Sequence, residues 1–159
     1  MQNKGYITAL KQGLEKKIQI LDKIIEENAL QRQLLADPEL DPDDFEKNLN
    51  DKAALVEQLT MLDDGFDAVY ERVREELQQN RAAYAVDITC MQKYISAIME
   101  KSTQIQTEEQ RNRELVVQKF TSVKKQIREV KSSHKAVNEY YQNMMKLNYV
   151  EPQFMDNKK

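Results

Sequence analysis

The sequence predicts an all-α fold, an elongated antiparallel helical bundle or coiled coil of three long helices with an overhanging C-terminal helix. Three observations carry this. The 159 residues include only three Gly and three Pro, while 32% are charged and none is Trp. The rest is rich in Ala, Glu, Lys, Leu, Gln and Arg, the residues that lose least on entering a helix. Apolar residues then recur at alternating spacings of three and four, which puts them on one helical face. Folds with many tight turns need Gly, Pro and Asn. Between Phe45 and Tyr149 only Gly65 and scattered Asn could supply them.

The first helix is expected from about Gly5 to Leu35. Its stripe is Ile7, Leu10, Leu14, Ile18, Leu21, Ile25 and Ala29, an eleven-residue repeat that keeps one face on a nearly straight helix. Ala36-Asp37-Pro38-Glu39-Leu40-Asp41-Pro42 ends it, because a residue before proline avoids the helical region. Asp41 is a good N-cap, Pro42 suits the first helical position, and Asp43 and Asp44 favour the positive helix end. So short a connection folds the second helix back antiparallel onto the first.

The second helix, about 42–80, shows heptads. One row is Phe45, Lys52, Leu59, Phe66, Val73 and Asn80; its companion runs Leu49, Val56, Asp63, Tyr70, Leu77 and on through Tyr84, Met91, Ile98 and Ile105. Both keep phase across Gly65, so that glycine reads as helix interior. After Asn80 the first row is replaced by Ile88, Ile95, Ser102, Glu109 and Val116, a shift of one residue. Either a turn lies near 80–87, with Asp87 as a candidate N-cap, or one helix runs through with a discontinuity. Length favours the turn: an unbroken helix from Asp43 to Leu147 would reach about 155 Å and leave most of its stripe uncovered. The third helix, about 84–147, would still be roughly 95 Å long against roughly 45 and 57 Å for the others. A tail over 148–159 is expected to fray, and 1–159 reads as a single helical domain.

The end of the third helix carries the most regular stripe: Val116, Phe120, Val123, Ile127, Val130, His134, Val137, Tyr141 and Met144. Burying one such apolar side chain is worth roughly 1.5–3 kcal/mol, so a face left uncovered would demand a partner. Val116, Phe120, Val123, Ile127, Val130, Val137, Tyr141 and Met144 are therefore candidate partner-binding residues. Three occupants fit the pattern: the chain's own core, a second copy as a homodimer, or a helix of another protein. Met145, Met155, Tyr140, Tyr149 and Phe154 add adaptable and aromatic surface nearby.

Charge is segregated. Asp37 to Glu76 holds fourteen acidic residues against four basic, a net −10; Arg111 to Lys146 holds nine basic against three acidic, a net +6. Solvated faces explain this, and so does steering of one helix or partner onto another. The overall −3 is unlike a general nucleic-acid binder, and binding of the basic helix to a membrane surface is a weaker alternative. Cys90 is the only cysteine, so no internal disulfide forms and a reducing, cytoplasmic setting is expected. No apolar run approaches a membrane span, and no secretory signal opens the sequence. His134 has no neighbouring His, Cys or paired carboxylate to complete a metal set. No Gly-rich phosphate loop or Cys–His pair is present, so neither a cofactor nor an enzyme is expected. The pairs Asp43–Asp44, Asp63–Asp64 and Glu75–Glu76 diverge on a helix and are expected to be solvated.

Three passages resemble the FlgN-type flagellar export chaperones. Leu14-Glu15-Lys16-Lys17-Ile18-Gln19-Ile20-Leu21 resembles that family's opening helix. Glu46-Lys47 through Lys52-Ala53-Ala54-Leu55-Val56-Glu57-Gln58-Leu59 resembles the second. Glu108-Glu109-Gln110-Arg111-Asn112-Arg113-Glu114-Leu115-Val116 resembles a step inside the third, which implies that 106–114 is helix interior. The chain departs from the pattern at the junction of its second and third helices, which lacks a glycine turn. The resemblance implies a bacterial cytoplasmic chaperone for hook–filament junction (hook-associated) proteins. It would hold a helical terminus of its cargo through the C-terminal helix, about Val116 to Met144, and deliver it to the flagellar type III export apparatus. The filament-cap chaperones of the FliT type are also small and helical, and are the alternative.

Overall fold

The computed structural model describes residues 2–121, together with 135 and 139. Among the described residues the chain forms three long helices: α1 (Gln2–Ala36), α2 (Pro42–Gln79) and α3 (Ala85–Thr121). The proline-bounded loop ends α1 as the sequence implies. Asp41 is the N-cap of α2, its carboxylate accepting from the Asp43 backbone N–H at 2.9 Å, with Pro42 opening the helix. Helix α2 runs unbroken through Gly65.

Between α2 and α3 the chain turns over Asn80–Tyr84 without glycine. Asn80 takes φ −118° and ψ 42°, and no residue there or elsewhere among those described has positive φ. The Asn80 carbonyl accepts from the N–H of Ala83 at 3.0 Å and of Tyr84 at 3.3 Å, while the Asn80 N–H donates to Glu76. A turn held this way needs no left-handed residue, which is why composition gave no sign of it. Asp87 is not the N-cap. It lies inside the first turn of α3, where its carboxylate meets Lys11 Nζ at 2.7 Å.

Lys17–Asp63 (2.8 Å) and Lys52–Gln31 (3.0 Å) fix α2 antiparallel to α1. Lys101–Asp22 (2.6 Å) and Asn112–Asn28 (3.1 Å) fix α3 parallel to α1. Helix α1 packs closely along both neighbours, whose backbones approach each other less. The heptad rows of α2 point inward as read: Phe45, Leu49, Lys52, Val56, Leu59, Asp63, Phe66, Tyr70, Val73 and Leu77 are all buried. Only Asn80 leaves its row, at the turn. The stripe of α1 is broader than expected. Ile20 and Ile24 are buried and Ile18 and Ile25 half-buried, while Ala29 is exposed and Asn28 and Gln31 take core positions instead. A helix flanked on two sides buries two rows, and a single stripe cannot describe it.

Candidate functional site

Of the eight stripe residues, the structure describes Val116 and Phe120. Val123, Ile127, Val130, Val137, Tyr141 and Met144 lie outside the described residues, as do His134 and the aromatic tail. Val116 and Phe120 are 2% and 7% exposed, so in this chain they are core and not open surface. They close a small apolar cluster with Leu35, Phe45 and Leu49 at the loop end of the α1–α2 hairpin. The Phe120 ring meets Phe45 edge-on, with centroids 5.6 Å apart, a geometry aromatic quadrupoles favour. Beside it the Lys119 ammonium donates to the backbone carbonyls of Leu35 and Asp37. Those are carbonyls at the C-terminal end of α1, where a cation suits both the unpaired oxygens and the helix dipole. The hairpin thus reaches α3 as far as Phe120, further than its length suggested. Val117, on the flank of that face, is 42% exposed.

One step deeper, a polar layer crosses the bundle, and Lys52, Glu108, Glu109 and Asn112 in it belong to passages that carry the resemblance. Lys52 is fully buried; its ammonium lies 2.8 Å from Glu109 Oε1 and donates to Glu109 Oε2 and Gln31 Oε1, each at 3.0 Å. Asn112, also fully buried, donates to the Asn28 carbonyl and to Gln31 Oε1, both at 3.1 Å. Asn28 donates to Glu108 (3.1 Å), and Asn48 to the backbone carbonyl and carboxylate of Glu27 (3.0 and 2.9 Å). The amide oxygens of Asn28, Asn48 and Asn112 are buried without a hydrogen-bond partner, each costing about 1–3 kcal/mol. Burial pushes the Lys52 ammonium below its ordinary range, with Glu109 opposing the shift. The heptad rows had placed both Lys52 and Glu109 inward, so the pair was visible as two charges in apolar rows. Asn28 and Gln31 gave no signal, because no row passed through them.

Asp63 corrects the expectation that the acidic pairs are solvated. It is 7% exposed and pairs with Lys17 at 2.8 Å. Burial raises its carboxyl above the ordinary value, Lys17 lowering it by less. On the outer edge the Tyr94 phenol donates to Glu15 at 2.5 Å, and that bond pushes it up to about 12. Cys90 is a half-buried free thiol.

Two of the surface concavities among the described residues are large. One, about 520 Å³, lies between α1 and α2 over Leu10, Gly13, Ile20, Leu62, Gly65 and Phe66. The other, about 850 Å³, is an open depression along the start of α3 beside Ala85, Thr89, Gln92 and Ser96. Neither contains a stripe residue. Among the described residues no three His, Cys, Asp or Glu side chains are placed to hold a metal, and no helix is long and apolar enough to cross a membrane. No family model matches the chain, and no curated protein or solved structure matches it significantly.

Proposed function

We propose that this chain is a cytoplasmic flagellar export chaperone of the FlgN type, binding a helical terminus of a hook-associated protein and presenting it to the type III export apparatus. The observation that carries the reading is where the hairpin stops. Phe120 and Lys119 sit against Leu35, Asp37 and Phe45, at the loop that ends both α1 and α2. A third helix prolonged through the stripe to Met144 would leave that cover behind, and its apolar face would then require another surface. The basic residues interleaved with that stripe would steer an acidic partner. The resemblance supports the same reading: Lys52, Glu109 and Asn112, three residues that carry it, meet in one buried layer.

Ile127→Asp with Val130→Asp is the direct test, read by titration against purified hook-associated proteins. Binding is expected for the parent chain and lost in the variant, with helix content by circular dichroism nearly unchanged. If the parent binds the purified filament cap instead, the FliT-type alternative holds. If it binds neither and is a tight dimer at nanomolar concentration, the homodimeric coiled coil replaces both.

A further inference from the structure

We propose that the end of α3, from Arg113 to Thr121, is a latch. It opens from the hairpin while the rest of the bundle stays folded, and opening releases Val116 and Phe120 to extend the surface offered to a helical partner. The main apolar cluster runs from Ile7 and Leu77 to Ile24, Val56 and Ile105 and holds sixteen buried residues from all three helices. The end cluster holds five, Leu35, Phe45, Leu49, Val116 and Phe120, and only two of these belong to α3. The polar layer separates the two clusters. Apolar packing is therefore not continuous along α3, and cooperative opening units end where such continuity is broken.

The two sides of the boundary differ in what opening would disrupt. On the near side lies Lys52–Glu109, whose separation would strand a buried charge on each helix. Beyond Asn112, the apolar grip on α3 comes from Val116, from Phe120 on Phe45 and from the half-buried Leu115, and Lys119 adds bonds to two backbone carbonyls, which water satisfies as well. Val117 and Thr121 already face outward. The break thus falls just after Asn112. Val116 and Phe120 open the same heptad stripe that continues at Val123, so a partner helix seated on that stripe would find its first two positions covered by Leu35, Phe45 and Leu49. The release for a partner rests on the proposed function; the opening itself does not.

Amide hydrogen exchange on the full, unmodified chain tests the opening with no partner present. Residues 113–121 are expected to exchange about 100-fold faster than 91–105. A buried-thiol probe separates latch opening from fraying of backbone hydrogen bonds. In a Cys90→Ser background, Val116→Cys should be alkylated about 100-fold faster than Ile105→Cys, although both parent side chains are buried in the folded state. Equal protection and equal alkylation across Asn112 would overturn the latch. The partner half is tested by Phe45→Ala, which removes the cover without touching the stripe. It should tighten binding to a purified hook-associated protein by about tenfold, as expected when a closed population is removed. Unchanged or weaker binding would mean that Val116 and Phe120 serve the core alone. No binding by any form would remove the functional reading and leave the exchange result to decide the opening.

Discussion

Lys52 and Glu109 place two charges where heptad geometry asks for hydrocarbon, and their effects on stability are strongly coupled. Lys52→Met alone leaves the Glu109 carboxylate buried without its cation and should cost about 3–5 kcal/mol in urea unfolding. Lys52→Met with Glu109→Leu should recover most of that loss, because apolar packing replaces a pair whose desolvation nearly cancels its attraction. Asp63 supplies a pH dependence. Its folded-state carboxyl binds a proton above 3.8, before the unfolded chain does. Stability withheld at neutral pH is therefore regained as pH falls through the raised value, and fully regained below 3.8. Relative to Asp63→Asn, the parent chain should gain stability as pH falls from neutrality toward 3.8, measured by denaturant titration at each pH. At this scale the sequence showed which positions face inward but not how polar ones are satisfied. Asn112 needs the Asn28 carbonyl from a residue 84 positions away, and no local pattern encodes that.

Among the elements, α2 was the most legible. Two prolines, the Asp41 cap and two unbroken heptad rows each report on local geometry, and they agree. Gly65 tests the reading of its interior: a Cβ there meets nothing within 4 Å. Gly65→Ala should therefore stabilise by about 1 kcal/mol, raising the thermal midpoint by roughly 3 °C in calorimetry. The α2–α3 turn was legible only as a phase slip, since Asn80 closes it with ordinary backbone angles and leaves no compositional mark. Helix α1 was half legible. Its central position between two partners doubles its buried face, and that follows from the arrangement of three helices and not from α1 itself.

For the whole molecule, the all-helical architecture follows from composition and period, because those are properties of each segment alone. The extent of the proposed partner surface does not. It depends on where the hairpin ends against α3, a difference between helix lengths that shifts with every residue of the loops. Val116 and Phe120 lie within that boundary, buried against Leu35, Phe45 and Leu49. The apolar stripe beyond them still sets an expectation for assembly. On the proposed function, the free chain should sediment as an 18.7 kDa monomer and form a one-to-one complex with a purified hook-associated protein, measured by analytical ultracentrifugation.

Heptads repeat, so a long helix has several nearly equivalent ways to lie along its neighbours, each displaced by about 10 Å, the rise of seven residues. In this chain most of those alternatives are closed. Sliding α3 one repeat in either direction would set Lys52 against Ser102 or Val116 in place of Glu109, separating two buried opposite charges. The buried pair acts as a positional mark on an otherwise translation-symmetric seam. A chain carrying Lys52→Met with Glu109→Leu should keep its helix content yet lose that mark, giving doubled or broadened methyl resonances for Ile98 and Ile105.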